Sequence, residues 1–292
     1  MSVAVAEPAL RPAKPRGAQL RRFARRNPTI VAGGAILTII ALLAIVAPLF
    51  AGDPITMQPA RRLRPPFETN WFGTDHLGRD VFARTVYGAR VSLYVGVAVA
   101  TMSIVGGLFI GLVSGYFRRV DAVVMRLMDG LMAIPAILLA IALVALTRAS
   151  VGTVIFAITI PEIPRVVRLV RAVVLSVREA PYVEAAVAGG TPTWKILLRH
   201  ILPNTIAPLI VQATYICASA ILIEAALSFL GAGTPPEIPT WGNMIAQSRL
   251  FLSRAPWTIF CPGIALALVV LAVNLLGDGL RDRLDPRLAR RM

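Results

Sequence analysis

Long stretches without a charged side chain dominate this sequence, and short polar segments separate them. The first stretch runs from Thr29 to Gly52. A helix of that length measures about 36 Å at 1.5 Å per residue, which exceeds a hydrocarbon core of about 30 Å. A cleaved signal peptide is the alternative, but its apolar region has only about 7–15 residues. The pattern therefore predicts a first transmembrane helix over residues 29–52.

Five further charge-free stretches repeat this pattern. They cover residues 91–117, 130–147, 149–161, 205–223 and 255–277. The stretch that begins at Ala149 is the weakest, because Glu162 and Arg165 follow it, and we expect it to continue into a helix that leaves the membrane. The sequence predicts an all-α integral membrane protein with about six transmembrane helices.

The basic residues predict how these spans are oriented. Lys and Arg number 21 on one side of the predicted membrane and 9 on the other. The richer side comprises residues 1–28, 118–129, 165–204 and 278–292. Because cytoplasmic segments carry the excess of Lys and Arg, both termini are predicted to be cytoplasmic tails, 1–28 and 278–292. Residues 53–90 form a predicted external loop, and residues 91–277 form a transmembrane core with a cytoplasmic loop at 165–204.

Composition supports the membrane assignment and narrows the chemistry. Hydrophobic residues make up 57% of the chain, above the roughly 45–50% of soluble domains. The net charge of +15 comes from arginines at the ends of spans, so it predicts membrane topology and no binding of nucleic acid. The only lysines are Lys14 and Lys195, and neither follows a glycine, which excludes a phosphate-binding loop. Any nucleotide chemistry must therefore lie on another chain.

The loop 165–204 carries helix start and stop signals. Pro181 suits the first turn of a short helix, and Gly190 suits the position just after its end. Thr191 is a candidate N-cap for a second short helix that Pro192 opens and that ends near Pro203. The signals predict a helix–turn–helix at the membrane surface.

The same loop resembles the EAA loop of ABC-importer permeases. The resemblance rests on six residues, which are Glu184, Ala185, Ala186, Gly190, Leu202 and Pro203. His200 stands where that family usually has Ile, and the run His-Ile-Leu-Pro-Asn over 200–204 is similar to the peptide and nickel branch. The resemblance implies that the short helix docks on an ATPase subunit as a coupling helix. An Ala-rich amphipathic helix that lies on the membrane is the alternative reading.

Three other segments resemble the C-type permease of dipeptide, oligopeptide and nickel importers. They cover residues 71–93, 226–244 and 274–287. The first segment contains the motif residues Gly73, Asp75, Gly78, Arg79 and Asp80. We expect Asp75 to cap a turn and Asp80 to pair with Arg79 or Arg84, with contact to an external binding protein as an alternative. No metal site is predicted there, since His76 has no other His or Cys nearby.

Several single residues carry further expectations. Glu162 and Glu224 flank apolar stretches and are candidates to line a transport path, unless they reach an interface. Trp241 is expected to anchor in the headgroup region, with substrate gating as the alternative. Arg165, Arg168 and Arg171 share one helical face, which predicts contact with anionic lipid or with an ATPase.

The resemblance implies a type I ABC-importer permease fold and a defined set of partners. This chain would join a second, related permease, two ABC ATPase subunits and an external solute-binding protein in the inner membrane. ATP and Mg²⁺ would bind the ATPase subunits, and this chain would bind no cofactor and would not be an enzyme. The implied cargo is a dipeptide or oligopeptide, with nickel or another small solute as the alternative. A secondary transporter is the rival class, but the inverted repeats of that class are not evident.

Overall fold

The computed structural model describes residues 24–284, and most of the chain in that range is helical. Residues 1–23 and 285–292, which include most of the two predicted tails, lie outside the described residues. The helices are α1 (Pro28–Phe50), α2 (Val81–Tyr116), α3 (Arg118–Ala133), α4 (Ala136–Ala145), α5 (Val151–Arg178), α6 (Pro181–Ala188), α7 (Thr193–Ile196), α8 (Leu202–Phe229), α9 (Trp241–Ser248) and α10 (Trp257–Leu284). Two single 3₁₀ turns, Pro59–Arg61 and Arg249–Phe251, and a π-helical turn, Leu197–Ile201, complete the regular structure.

Four of these helical segments are long and apolar enough to cross a membrane. They are α1, α2, α10 and the continuous run Thr193–Phe229, which joins α7 to α8. The pair α3 and α4 is a fifth candidate if it is counted as one broken span. The remaining predicted span, over residues 149–161, belongs to α5, which is less apolar because Glu162 and four arginines lie in it. The predicted number of about six is therefore approximate.

The predicted span over residues 130–147 is not one straight helix. The chain bends by 88° between α3 and α4. Pro135 causes the break, because a proline lacks the N–H of a helical hydrogen bond and forces the preceding residue out of the helical region. Ile134 accordingly has extended dihedral angles, φ −91° and ψ 129°. Helix α4 has 10 residues, about 15 Å, and does not cross a bilayer alone.

Helix α2 begins ten residues before its charge-free stretch and lies at the centre of the fold. It packs against α5 along most of its length and against α8 on another side. Helix α10 packs between α1 and α8. The main apolar core draws on α2, α4, α5 and α8, and a smaller cluster joins α1, α2, α8 and α10. Helix α1 thus lies at the edge of the subunit.

A row of glycines brings α2 and α5 into close contact. Gly107, Gly111 and Gly115 lie one turn apart on α2, and each faces a valine of α5. A Cβ atom at Gly111 would lie 2.7 Å from Cβ of Val170, and one at Gly115 would lie 2.8 Å from Cβ of Val174. Small residues four apart let helix backbones approach closely inside a membrane. This glycine row was not among the sequence motifs that we identified.

The arginines of α5 bind carboxylates, and the expected contact of their shared face with anionic lipid or an ATPase stays a prediction. Arg171 donates from Nη2 to Oδ2 of Asp121 in α3 at 2.6 Å. Arg168 makes a second ion pair with Asp129 of α3, and Arg165 pairs with Glu162 at 3.0 Å. The pairs of Arg171 and Arg168 hold the amphipathic helix α3 across α5, whereas the pair of Arg165 lies within α5. Exposed ion pairs contribute only about 0–1 kcal/mol each, so their main effect is to orient α3.

Candidate functional site

Helix α6, which carries the Glu-Ala-Ala motif, projects from the body of the subunit. Its first turn contains Pro181, as predicted, and one side chain, Val183, anchors it in the core. Val183 is 1% exposed. Glu184 and Ala185 are exposed, and Ala186 is half-buried. Two of the three motif residues therefore lie on the outer face of the helix, where another chain can contact them.

Gly190 ends α6 in the way that the sequence predicted. Its φ is +75°, in the left-handed region that side chains other than glycine rarely adopt. The N–H of Gly190 donates to the carbonyl of Val187 at 3.0 Å, and the N–H of Thr191 donates to that of Ala186 at 3.0 Å. This pair of bonds is a Schellman motif, which satisfies the last carbonyls of the helix.

Replacing Gly190 by alanine is expected to loosen the end of α6. The left-handed conformation costs a residue with a Cβ atom about 1–2 kcal/mol, although a Cβ atom at Gly190 would have nothing within 4 Å. Amide hydrogen exchange of α6 should therefore become faster by about fivefold to thirtyfold. Gly189→Ala is the matched control, because Gly189 has φ −76°, which any residue adopts, and a Cβ atom there would lie 3.3 Å from the carbonyl of Ala185. Equal exchange rates in the two variants would contradict this account of the turn.

The second helix of the loop differs from the prediction at both ends. It begins at Thr193 with Pro192 as its N-cap, so Thr191 is not the cap. It also does not end near Pro203 but continues into α8. A wide π turn permits this, since the N–H of Leu202 donates to the carbonyl of Leu197 five residues earlier. Pro203 follows in the first turn of α8, where the missing N–H costs little.

Apolar side chains around the motif are left exposed to solvent. We use the name loop surface for six of the exposed residues of this loop, which are Tyr182, Glu184, Ala185, Val187, Trp194 and Leu198. The basic side chains of Lys195 and Arg199 are exposed in the same loop. Trp194 is 60% exposed and Val187 is 54% exposed. In a segment that is predicted to lie outside the membrane, exposed apolar side chains of this size are typical of an interaction site. Asn204, which is also exposed, contacts this surface, since its Nδ2 donates to Tyr182 Oη at 3.4 Å and to the carbonyl of His200 at 2.6 Å.

The second motif, over residues 73–80, is a tight loop before α2. Asp75 accepts bonds from the N–H of Leu77 at 2.8 Å and of Arg79 at 2.9 Å, so it caps a turn as expected. The same carboxylate pairs with Arg79 Nε at 2.7 Å. Asp80 does not pair with an arginine, and this expectation is wrong. It accepts from the N–H of Phe82 at 3.0 Å and caps α2, which a short polar side chain does well at that position.

The two motif glycines let this loop pack against its neighbours. Gly73 has φ +70°, and a Cβ atom there would lie 2.6 Å from the carbonyl of Arg64. Gly78 has φ +77°, and a Cβ atom there would collide with the carbonyl of Gln58. Trp257, at the start of α10, donates from Nε1 to the carbonyl of Thr74 at 3.2 Å. A cavity of about 510 Å³ lies beside the loop, lined in part by Asp53, Arg61, Glu68, Trp71 and Asp80.

The two candidate acids of the transport path are inside the subunit. Glu162 and Glu224 are both 0% exposed. Glu162 is held by Arg165, and Glu224 accepts from Ser228 Oγ at 2.9 Å. Neither carboxyl group reaches the surface of this chain in the structure. Their role in lining a path therefore stays a prediction.

Trp241 is a core residue, and its assignment to the headgroup region is wrong. It is 0% exposed, and its Nε1 donates to the carbonyl of Thr85 at 2.9 Å. The indole packs on Gly88, where a Cβ atom would lie 3.3 Å from Cδ1 of the ring. Trp241 thereby connects α9 to the first turns of α2. This contact could not be predicted from the sequence, because it depends on how residues 230–240 fold back.

Comparisons with known proteins match most of the chain. Residues 103–290 match the binding-protein-dependent transport system inner membrane component, and residues 17–66 match the N-terminal transmembrane domain of oligopeptide transport permease C. A probable peptide ABC transporter permease of Sinorhizobium fredii is 61% identical over 92% of this chain and 93% of its own. A dipeptide transport permease of Alkalihalophilus pseudofirmus is 45% identical over 90% of this chain and 88% of its own. An oligopeptide transport permease of Bacillus subtilis is 38% identical over 91% of this chain and 88% of its own.

The fold agrees with these matches at the level of architecture. Long apolar helices surround α2, and the loop between α5 and α8 holds the exposed motif that the resemblance is based on. The two matched ranges, 17–66 and 103–290, include all of the described helices except the first part of α2, residues 81–102. The chain belongs to the family of binding-protein-dependent transport system inner membrane components.

Proposed function

We propose that this chain is a pore-forming permease subunit of an ABC importer that carries dipeptides or oligopeptides across the inner membrane. The proposal rests on the names of the relatives, which include peptide, dipeptide and oligopeptide permeases. Its strongest single support from the fold is the loop surface, an exposed apolar patch around Glu184 and Ala185. In the proposed orientation both termini and this loop face the cytoplasm.

The loop surface is proposed to dock on an ABC ATPase subunit. Small side chains such as Ala185 permit close approach, and Glu184 can accept charge-assisted hydrogen bonds from the partner. The carboxylate of Glu184 lies in the first turn of α6, where a negative charge also interacts favourably with the helix dipole. ATP and Mg²⁺ would bind two such ATPase subunits, and this chain would carry out no bond chemistry of its own.

The continuity of the helix gives this docking a mechanical consequence. Helix α7 runs through the π turn into α8 without a break from Thr193 to Phe229. A displacement of the loop surface would therefore move α8, which packs on α2, α5 and α10 in the membrane. Nucleotide binding and path opening are then linked, because each can shift the other only through differential affinity for two states. A second, related permease would form the other wall of the path.

The cargo can be tested by transport in reconstituted vesicles. The complex that contains this chain, with its solute-binding protein, should take up a labelled dipeptide when ATP is enclosed on the ATPase side. Uptake should stop when the ATP is replaced by a non-hydrolysable analogue. ATP-dependent uptake of nickel without peptide uptake would replace the peptide assignment, and uptake by this chain alone under an ion gradient would support a secondary transporter.

A further inference from the structure

Helix α3 has three faces of different character along its 16 residues. One face packs on α5 through Asp121 and Asp129, which pair with Arg171 and Arg168. A second face is aliphatic and exposed, and a third face is basic and exposed. The first face belongs to the fold of the subunit, whereas the side chains of the other two extend away from the described part of the chain.

The aliphatic face is formed by residues three and four positions apart. Val120, Val123 and Leu127 are 38%, 62% and 61% exposed. Val124 and Leu131 are half-buried on the flank toward α5. Residues with this spacing lie on one side of a helix, so they form a continuous stripe over about three turns. The stripe contains no hydrogen-bonding side chain.

The basic face borders this stripe on the side away from α5. Arg119 and Arg126 lie about two turns apart on this side, and both are exposed. Arg118 is exposed at the start of the helix. None of the three arginines makes an ion pair or a hydrogen bond to another residue in the range 24–284. The carboxylates of α3 do not balance these charges, because Arg168 and Arg171 of α5 bind them.

The break at Pro135 gives α3 its orientation. Helices α3 and α4 meet at 88°, and α4 packs in the apolar core through Ala140 and Val144. A helix at a right angle to one embedded in the membrane runs nearly parallel to the membrane surface. Tyr116, at the end of α2, packs on Phe117 with 5.3 Å between ring centroids. Tyrosine is enriched where a span leaves the hydrocarbon, which places the start of α3 near the headgroups.

We infer that α3 is an interfacial helix that binds anionic lipid in the cytoplasmic leaflet of the membrane. The aliphatic stripe enters the acyl region, and Arg119 and Arg126 beside it donate to lipid phosphates. Helices that lie in the interface combine an apolar face with arginines or lysines on their polar side. Each basic residue near an anionic membrane surface strengthens the binding several-fold.

A second permease is the other occupant that these two faces could meet. A protein surface would have to supply carboxylates for the arginines, or the interface would bury guanidinium groups without partners, which is strongly unfavourable. The leaflet supplies phosphates along the whole helix and acyl chains beside them. This match of both charge and apolar groups favours lipid.

Lipid binding at α3 has a consequence for the rest of the subunit. The leaflet fixes the depth of α3, and the pairs of Asp121 and Asp129 attach α3 to α5. Helix α5 ends at Arg178 and leads directly into α6, which carries the Glu-Ala-Ala motif. The lipid contact would therefore hold the start of the cytoplasmic loop at a defined distance from the membrane.

The test uses a fluorophore on Val123→Cys in the whole complex, with Cys217 and Cys261 replaced by alanine and no other reactive cysteine present. The complex is reconstituted in vesicles of phosphatidylcholine and phosphatidylglycerol. Lipids with a nitroxide on the acyl chain should quench this label strongly, and iodide in the water should quench it weakly. The same label on Ala122→Cys, an exposed residue one turn after Arg118, should show the reverse.

The other outcomes at Val123 separate the alternatives. Weak quenching by both agents would mean that another protein, such as the second permease, covers this face. Strong quenching by iodide would mean that the face lies in water. Either result overturns the proposal, and neither depends on transport, so the proposed function is tested separately.

Charge variants test the preference for anionic lipid. Nitroxide-labelled phosphatidylglycerol should quench the label at Val123 with about fivefold to tenfold higher relative affinity than labelled phosphatidylcholine. Arg119→Gln with Arg126→Gln should bring this ratio close to one. Arg119→Lys with Arg126→Lys is the matched control, which keeps the charge and should keep most of the preference. A ratio of one in the unchanged chain, or equal ratios in the two double variants, would overturn the role of the arginines.

Discussion

Replacing Ala185 by tryptophan is expected to abolish the coupling between peptide binding and ATP hydrolysis while leaving the subunit folded. Ala185 is exposed on α6, so a larger side chain there meets no group of this chain's core. It would instead fill the space in which we propose that the ATPase subunit docks. Peptide-stimulated ATP hydrolysis by the reconstituted complex should fall by about tenfold or more, which corresponds to a loss of about 1.4 kcal/mol in docking.

The control for this variant is a small polar side chain at the same position. Ala185→Ser keeps the size of the docking surface and should retain most of the stimulated hydrolysis. The folding of both variants can be compared through their amounts in membranes and their thermal midpoints. Stimulated hydrolysis at the normal rate in a correctly inserted Ala185→Trp complex would show that the loop surface is not the docking site.

The second large effect is expected at the glycine row of α2. Gly111→Ala places a Cβ atom 2.7 Å from Cβ of Val170 and 3.0 Å from the carbonyl of Val167. Backbones, not flexible side chains, must then separate, and overpacking of this kind costs about 1–3 kcal/mol. The variant should unfold at a lower temperature in detergent and accumulate to a lower level in the membrane.

Gly106 offers a matched control on the same helix. A Cβ atom there would lie 3.6 Å from the terminal methyl group of Ile163, an ordinary contact. Gly106→Ala should therefore be neutral or slightly stabilising, because alanine favours a helix more than glycine does. Equal midpoints for Gly111→Ala and Gly106→Ala would contradict the close contact of α2 and α5.

Features that depend on local chain chemistry could be predicted from the sequence. Pro181 begins α6 and Gly190 ends it, since a fixed φ and a left-handed φ are properties of single residues. The turn cap formed by Asp75 is also local, because its carboxylate accepts hydrogen bonds from N–H groups two and four residues later. The long helices with few charges were also identified, because the membrane requires about 20 apolar residues wherever a helix crosses it.

Features that depend on distant partners could not be predicted. The ion pairs of Arg168 and Arg171 were not among our predictions, because their carboxylates lie 39 and 50 residues away on α3. Helix α2 starts at Val81, ten residues before its charge-free stretch, and other elements bury the polar side chains of its first turns. A search for charge-free stretches cannot identify this part of the helix, because it contains charged residues. Trp241 is buried through its contact with Gly88 for the same reason.

One signal in the sequence was available and was missed. Gly107, Gly111 and Gly115 recur every four residues, which is typical of close helix contacts in membranes. Their partners in α5 have the same spacing, at Val166, Val170 and Val174. Pro135 was equally visible inside the predicted span 130–147, and it should have divided that span into two helices.

The most direct measurement of the central claim is the purification of this chain, tagged, from its native membrane in mild detergent, with mass spectrometry of everything bound to it. The account predicts a second, related permease, two ABC ATPase subunits and a solute-binding protein whose bound ligand is a dipeptide or oligopeptide. Purification of a folded, transport-active chain without an ATPase would contradict it.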